Sequence, residues 1–540
     1  MAEVDSIRKG AGRAETWVVA CCALVASLAA VAWSWTHHAL TNYGDAVAHM
    51  HIARRVFDSH QPRLSQLGSV WLPLPHLLML PFVQVYAWWA SGAAAIVPSA
   101  AAYVLSVVAM YRLARRFMTQ AAAALAVAFF ALNPNLLYLQ TTAMTEPLFL
   151  CEMVWVALWL VEWREALGAD TDAGSNRARR LLVAIALGLA AAVYTRYDGW
   201  IMTAAAWTGI GVELLRRRQL RQWTYWLGTA LLVAAPLAWF VYNQLAFGDW
   251  LEFQRGPYSA AAIERHTMTP GSGPPHPGWH NMGVSEIFFL KAALMDAVVV
   301  RWGVWLLVVA VLATLAAWLW RRHHGLGWAL QLLWLPAPFY AYSVAYGSVP
   351  IFLPVWWPHS YYNTRYGMEL LPALALGVGF AALPVLALVR EYKPGAARWA
   401  VLLAALLVVA NAAEIARSGP LTYVEGLKNI EAHRPYQQEI PPVLRRYLAV
   451  RPGATVLMET SVDPEIVALT GIPLRQTINE ADLEVWDRAL AHPAASAQLV
   501  LAFDGDAVDR AVKQHPEHLV AVEHFHCRWQ PAGTLYLSTE

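Results

Sequence analysis

Long apolar runs recur along residues 1–417 of this 540-residue chain, and they constrain its fold more than any other feature. The first run, residues 17–35, is long enough to cross a bilayer as a helix, which takes about 20 apolar residues. Charged residues make up 14% of the chain, whereas a soluble protein carries roughly a quarter. The pattern predicts an α-helical protein that crosses a membrane many times.

Clusters of basic residues separate these runs, and Lys and Arg are enriched in the cytoplasmic loops of membrane proteins. With all six clusters placed inside, the chain has about eleven transmembrane helices, a cytoplasmic N-terminus and an external C-terminal part. The clusters lie at residues 8–13, 112–116, 164–180, 216–221, 321–322 and 390–398. The predicted spans are residues 16–36, 93–111, 119–133, 145–163, 181–196, 199–215, 223–245, 293–320, 326–346, 366–389 and 399–416.

Residues 71–89 are also apolar, but a span here would reverse the side of the basic cluster that follows. Pro73, Pro75 and Pro81 favour a broken helix, which is tolerated at membrane depth where other parts of the protein cover it. We therefore predict a re-entrant or juxtamembrane segment within a large first outer loop, residues 37–92.

The charge balance changes sign after the last predicted span. Residues 1–419 hold 29 Lys and Arg against 21 Asp and Glu, whereas residues 420–540 hold 10 against 16. The second part alternates short strand-like and helix-like runs, as a small α/β domain does. The sequence thus predicts a transmembrane domain, residues 1–417, followed by a soluble extracytoplasmic α/β domain, residues 418–540. This tail has no basic patch, so nucleic acid is not expected as a partner.

Polar motifs collect in the predicted outer loops. Asp45 lies just past the first span, and a carboxylate at a membrane surface indicates a functional site. The inner loops are short and basic, and no GxxxxGK[ST] phosphate-binding loop occurs anywhere in the sequence. We therefore expect chemistry that faces outward and uses no cytosolic nucleotide.

Taken in order, these motifs resemble the C-type glycosyltransferase superfamily (GT-C), membrane enzymes that use polyprenyl-phosphate-linked sugars. The resemblance covers about residues 10–417 and is to the group of protein O-mannosyltransferases and aminoarabinose transferase-like enzymes. It is carried by Gly44-Asp45, Trp71-Leu72-Pro73-Leu74-Pro75-His76-Leu77, Thr145-Glu146-Pro147-Leu148, Thr195-Arg196-Tyr197-Asp198-Gly199, Asn363-Thr364-Arg365-Tyr366 and Leu371-Pro372.

The resemblance implies that Asp45, the acidic residue of the first outer loop, is the general base of a sugar transfer with inversion. A lipid phosphate is a good leaving group, so the reaction needs a base for the acceptor hydroxyl and cations for the departing phosphate. The implied partners are a polyprenyl-phosphate sugar, membrane lipids, and a lipid, glycan or protein acceptor. The implied location is the outer face of the cell's inner (plasma) membrane.

Nine further residues are predicted to bind the substrate. His49 lies one helical turn after Asp45 and shares its face if this stretch is helical. Arg365 and Arg196 are candidates for holding the lipid phosphate, because a guanidinium binds phosphate through a planar fork. The other candidates are His51, Glu146, Asp198, Arg255, Tyr362 and Tyr366.

Structural roles remain open for several of these residues. Asp45 and Glu146 also suit helix N-termini, where a carboxylate is favourable. Arg196 and Asp198 also suit a structural ion pair. The tyrosines near Arg365 also suit an aromatic belt at the membrane surface.

No resident cofactor and no metal-ligating residues are predicted. Many members of the superfamily pair two acidic residues in the first outer loop or bind a divalent metal. Here Asp45 is followed by Ala46, so the sequence has no adjacent acidic pair and leaves metal dependence open.

Two other classes of function fit the same composition. A transporter or flippase for a lipid-linked or small polar substrate would place charges inside its spans, as at Glu152 and Arg301. A non-catalytic scaffold that presents the tail would not need Asp45. Glycosyl transfer accounts for the outward motifs more directly than either.

Overall fold

A computed structural model of the chain describes residues 11–169, 171–268, 273–321, 326–528 and 530–540. The predicted basic residues 8, 9 and 322 lie outside these ranges. Helices fill the chain up to residue 449, and a five-stranded sheet with its own helices follows.

The helical part contains both long spans and short connecting helices. In chain order they are α1 (Arg13–Thr36), α2 (Gly44–Arg55), α3 (Leu74–Val83), α4 (Tyr86–Ala90), α5 (Ile96–Ala114), α6 (Gln120–Ala131), α7 (Pro134–Leu139), α8 (Glu146–Leu167), α9 (Asp172–Thr195), α10 (Asp198–Arg216), α11 (Trp223–Phe247), α12 (Glu252–Arg255), α13 (Ala260–Thr267), α14 (Met282–Ala297), α15 (Gly303–Arg321), α16 (Leu326–Trp334), α17 (Pro336–Tyr346), α18 (Leu371–Tyr392), α19 (Ala397–Ser418) and α20 (Leu421–Ala449).

Seven helical stretches within the described ranges are long and apolar enough to cross a membrane, and they coincide with seven of the predicted spans. The other four predicted spans fall on helices that are shorter or carry buried charges, namely α6, α8, α10 and the pair α16–α17. The multi-pass helical fold is therefore confirmed. The predicted number of eleven spans is not.

The predicted span at residues 293–320 begins too early, because the chain breaks between α14 and α15 and the apolar stretch long enough to cross a membrane is Val300–Leu319. Asn411 in α19 serves the two backbone groups at this break. Its Nδ2 donates to the carbonyl of Ala297 at 3.1 Å, and its Oδ1 accepts from the N–H of Val299 at 3.3 Å. Hydropathy does not reveal the break, because the residues there are apolar and their free backbone groups are satisfied from a distant helix.

Residues 71–89 form a broken segment, as their prolines predict. Helix α3 ends at Val83 and α4 begins at Tyr86, so neither is long enough to cross a membrane. Pro75 lies in the first turn of α3 and Pro81 in its interior. The segment is therefore part of the connection between α1 and α5.

Three helices define the two ends of the bundle. Each of α8, α10 and α18 carries an arginine in its last turn: Arg164, Arg216 and Arg390, respectively. Helices α8 and α10 begin with Glu146 and Asp198, so their acidic ends lie on the side away from these arginines. This separation gathers the carboxylates at one surface of the bundle, and charge at these ends complements the helix dipoles.

The C-terminal sheet has the strand order β2-β1-β3-β5-β4. Strands β2, β1 and β3 are parallel, whereas β5 runs antiparallel to β3 and β4 antiparallel to β5. The strands are β1 (Val456–Met458), β2 (Thr477–Ile478), β3 (Leu499–Phe503), β4 (Leu519–Phe525) and β5 (Gly533–Ser538), and the helices are α21 (Glu465–Thr470), α22 (Glu484–Ala491), α23 (Pro493–Ser496) and α24 (Ala507–Gln514). An α/β arrangement is therefore confirmed for this part of the chain.

Alternate residues of the parallel strands serve the two faces of the sheet. Leu457 and Val500 face a cluster with Trp486 of α22 and Val508 of α24. The other face joins the main core, which includes Tyr436, Ile440 and Leu444 of α20. Helix α20 thus extends from the membrane part to the sheet and packs against both.

The close approach of α15 and α18 gives a prediction about stability. A Cβ on Gly377 in α18 would lie 2.5 Å from the Cβ of Ala310 and 2.7 Å from its Cα. We expect Gly377→Ala to lower the free energy of unfolding by about 1–3 kcal/mol, because the two helices must separate. The measurement is the apparent melting temperature of the protein in nanodiscs. Gly395→Ala is the control, since nothing lies within 4 Å of a Cβ there; equal melting temperatures would contradict the prediction.

Candidate active site

Two arginines and five carboxyl groups meet at one end of the bundle, where several helices begin. We refer to them as the charged cluster. Its members are Asp45 in the first turn of α2, Glu146 at the start of α8, Arg196 between α9 and α10, Asp198 at the start of α10, Arg365 and Glu369 in the 3-10 helix Thr364–Leu370, and Glu425 in α20.

The guanidinium of Arg365 is bound by three carboxylates from distant parts of the chain. Its Nη2 donates to Oδ2 of Asp45 at 2.7 Å, its Nε to Oε1 of Glu146 at 3.1 Å, and its Nη1 to Oε1 of Glu425 at 2.8 Å. A guanidinium has five N–H groups, so in the described structure two of them remain for a ligand. Arg365 is therefore able to hold an anion without giving up its carboxylates.

Arg196 is engaged more fully. It donates four hydrogen bonds, to Oδ2 of Asp198 at 3.0 Å, Oγ1 of Thr145 at 2.9 Å, Oε1 of Glu146 at 3.2 Å and the hydroxyl of Tyr340 at 2.8 Å, and its Nη2 also lies 3.2 Å from Oε1 of Glu369 as an ion pair. Tyr340 in turn donates to Oε1 of Glu369 at 2.7 Å. Arg196 thus holds the cluster together, while Arg365 keeps more of its donors for a ligand.

Glu146 and Tyr366 join the two arginines. Oε1 of Glu146 accepts from both guanidiniums. The ring of Tyr366 lies 5.0 Å from the guanidinium carbon of Arg196 and 5.1 Å from that of Arg365, within the range of a cation–π contact. Tyr43 lies 5.3 Å from Arg365 in the same way. The two cations are therefore fixed relative to each other.

Glu425 fixes the backbone that carries Arg365. Its carboxylate accepts hydrogen bonds from the N–H groups of Asn363 and Thr364, both at 2.9 Å, and from the hydroxyl of Thr364. Asn363 has a φ of 54°, a left-handed conformation that asparagine tolerates better than most residues. This turn directs the side chain of Arg365 into the cluster.

Asp45 is the member that a substrate reaches most easily. Its side chain is 45% exposed, whereas that of Arg365 is 7% exposed. The other members of the cluster are largely buried. A carboxylate open to solvent and bonded to a buried guanidinium is suited to accept a proton beside a bound anion.

His49 lies beside Asp45, as its spacing predicts, and is buried. Its Nδ1 is 2.7 Å from Nε2 of His76, and its ring lies 4.4 Å from that of Trp71. Burial lowers the pKa of His49 to about 4, although Asp45 and Glu146 act in the opposite direction. His49 is therefore neutral near pH 7 and does not add a positive charge to the site.

The structure does not bring two of the predicted residues to the cluster. His51 faces Trp89, with ring centroids 5.1 Å apart, and burial lowers its pKa to about 3. Arg255 is exposed and pairs with Asp249 at 3.6 Å. A third predicted residue, Tyr362, lies close to the cluster but is not bonded to it. It is half exposed just before the turn that leads to Arg365, and its ring contacts Phe352.

The sequence reasoning missed two members of the charged cluster, Glu369 and Glu425, and also Tyr340, which bonds to Arg196 and Glu369. Glu369 is the one carboxylate within the predicted span 366–389, and such a residue inside an apolar run is itself a functional signal. Glu425 was assigned to the soluble tail, and sequence offers no sign that it turns back to Arg365. Tyr340 lies in an apolar run, and no sequence pattern distinguishes it from the other aromatic residues there.

A divalent metal does not fit the described residues. They contain no group of three or more His, Cys, Asp or Glu side chains close enough to hold a metal ion. The carboxylates of the charged cluster accept hydrogen bonds from guanidiniums instead. The two guanidiniums therefore supply the positive charge that the described residues place beside these carboxylates.

No protein-family model matches the chain, and no curated protein matches it significantly by sequence. Solved structures share its fold. ArnT from Cupriavidus metallidurans bound to undecaprenyl phosphate matches with a TM-score of 0.55 and 14% identity, over 95% of this chain and 97% of that one. The same protein in the apo state matches with a TM-score of 0.53 and 15% identity, over 97% and 98% of the two chains.

A third structure extends the likeness to another enzyme. The oligosaccharyltransferase of Archaeoglobus fulgidus in complex with Zn and sulfate matches with a TM-score of 0.50 and 12% identity. The match covers 96% of this chain and 72% of that one. The helical bundle and the domain that follows it are both included in the ArnT matches, since these cover nearly all of both chains. The chain therefore has the fold of the GT-C membrane glycosyltransferases.

Proposed function

We propose that this protein transfers a sugar from a polyprenyl-phosphate donor to an acceptor hydroxyl, with inversion at the anomeric carbon. The observation that carries the proposal is the pair formed by Asp45 and Arg365. The carboxylate is exposed, and the buried guanidinium that binds it keeps two N–H groups for an anion. Base and phosphate site are thus adjacent.

In the proposed reaction, Asp45 takes the proton of the acceptor hydroxyl as its oxygen forms a bond to the anomeric carbon. The bond between that carbon and the phosphate oxygen breaks, and the electron pair leaves with the phosphate. Arg365 stabilises the charge that develops on the leaving group. No general acid is needed, because a phosphate is a stable anion.

The structural neighbours support a lipid-phosphate ligand. One ArnT structure holds undecaprenyl phosphate, and this chain covers nearly the whole of that protein. Seven stretches of the described helices are apolar enough to cross a membrane, and a lipid-linked donor would reach a cluster at the end of such a bundle from the bilayer. The basic residues at the opposite ends of α8, α10 and α18 favour an extracytoplasmic position for the cluster in the inner membrane.

Asp45→Asn tests the proposed base. We expect it to lower transfer by at least about 100-fold, because an amide of the same shape does not accept the proton. The measurement is transfer of label by the protein in nanodiscs, from a panel of radiolabelled polyprenyl-phosphate sugars to membrane extract. Asp487→Asn, on the exposed surface of α22, is the matched control.

The same assay separates the proposal from transport. A transporter would move the lipid-linked sugar across a vesicle membrane without any covalent change. Translocation that persists in Asp45→Asn, with no label entering product in either protein, would contradict glycosyl transfer.

Arg365→Lys tests the phosphate site. A lysine keeps the charge but presents a single ammonium, which does not replace three carboxylate contacts and an open fork. We expect transfer to fall by about 100-fold or more and binding of polyprenyl phosphate to weaken. Binding is measured directly by titration in nanodiscs. Arg451→Lys, an exposed residue after α20, serves as the control, and equal effects of the two changes would refute the assignment.

We also expect transfer to be independent of divalent metal. Guanidiniums already bind carboxylates of the charged cluster, and the described residues do not form a metal site. Transfer with and without a chelator is the measurement. A loss of activity that returns when Mg²⁺, Mn²⁺ or Zn²⁺ is added would contradict this expectation.

A further inference from the structure

One face of α20 lies directly against the segment that carries Asp45. Thr422 and Glu425 each have a partner four residues further on, Gly426 and Asn429 respectively. This spacing places all four on the same side of a helix. Each contacts either the start of α2 or the arginine that binds Asp45.

Asn429 supplies a cap that the start of α2 lacks. Ser, Thr, Asn or Asp usually precedes a helix and accepts a hydrogen bond from its free N–H groups. Tyr43 occupies that position here and makes no such bond. Instead, Oδ1 of Asn429 accepts from the N–H of Gly44 at 2.8 Å. Asp45 is the next residue, so the bond fixes the backbone from which its carboxylate extends.

Tyr43 is itself tied to α20. Its hydroxyl donates to the carbonyl of Thr422 at 2.5 Å, in a buried setting. Gly426 permits this approach, because a Cβ there would lie 3.0 Å from the hydroxyl of Tyr138, 3.1 Å from the Cβ of Asn42 and 3.3 Å from the ring of Tyr43. A side chain at residue 426 would therefore push α20 away from the segment before α2.

Glu425 reaches Asp45 by a second path. Its carboxylate holds Nη1 of Arg365, and Nη2 of the same guanidinium holds Asp45. Helix α20 therefore fixes both the backbone and the carboxylate of Asp45. Asn429 acts on the backbone through Gly44, and Glu425 acts on the carboxylate through Arg365.

We propose that this face of α20 positions Asp45 for proton transfer, so that the segment after the last membrane helix is part of the catalytic apparatus. The proposal rests on the proposed function. Asn429 and Tyr43 act as positioning residues, because their effect on the reaction passes through Asp45.

Two conservative changes test the path through the backbone. Tyr43→Phe removes only a hydroxyl and keeps the ring beside Arg365, while Asn429→Ala removes the capping oxygen. We expect each change to lower kcat by about five- to tenfold, because Asp45 is then held less firmly in one position, with KM within about twofold. Asn429→Asp keeps an acceptor oxygen at the helix start, and we expect it to restore most of kcat.

Backbone amide exchange provides a readout that does not need activity. In Asn429→Ala, amides in residues 44–48 should exchange several times faster than in the unaltered protein, and Asn429→Asp should restore their protection. Lys428→Ala is the matched control. Lys428 is the neighbouring residue of α20, is exposed and pairs with Glu431, so its loss should change neither exchange nor kcat.

The outcomes are distinct. Unchanged kcat in both Tyr43→Phe and Asn429→Ala would overturn the proposal, whatever the exchange rates. A higher KM for the acceptor with unchanged kcat would also overturn it, since Asn429 would then bind the acceptor. If the unaltered protein transfers no sugar, the proposed function fails and the positioning role fails with it, and the exchange rates still report whether Asn429 holds α2.

Discussion

The arrangement at the end of the bundle where α8 and α10 begin depends on the guanidinium of Arg365. It is bound by Asp45 of α2, Glu146 from the start of α8 and Glu425 from α20. Removing Glu146 or Glu425, the two buried partners, costs about 3–5 kcal/mol. The contact with Asp45, whose side chain is 45% exposed, contributes less because solvent screens it. A single side chain therefore fixes the relative positions of a loop, a core helix and the helix that leads to the sheet.

The second arginine makes this arrangement rigid. Arg196 donates four hydrogen bonds within the protein and pairs with Glu369, and Glu146 connects it to Arg365. A planar guanidinium held by several acceptors has one orientation, unlike a lysine on a flexible stem. Of these two residues of the same type, Arg196 thus has the more extensive contacts within the protein.

Much of this was accessible from sequence, because polar residues at the ends of apolar runs are few. Asp45, Glu146, Arg196, Asp198 and Arg365 were all predicted in this way, and the structure brings them together. His51 was not separated from His49 by this reasoning. His51 follows Asp45 by six residues, which is about 240° around a helix, whereas His49 follows it by four, which is about 40°. The two histidines therefore face different directions. The roles of Glu425 and Asn411 could not be predicted from sequence. Their partners lie far away in the chain, and no local pattern indicates a hydrogen bond between helices.

The charged cluster contains five carboxyl groups and two guanidiniums, and this imbalance bears on how the site would empty. In a polyprenyl-phosphate sugar the phosphate is a diester with one negative charge. After transfer it is a monoester that carries about 1.5 to 2 negative charges at pH 7. Once Asp45 has passed its proton to water, repulsion between the product and the surrounding carboxylates is at its greatest. The same surplus of negative charge that surrounds the arginines would then speed product release and limit inhibition by spent lipid carrier.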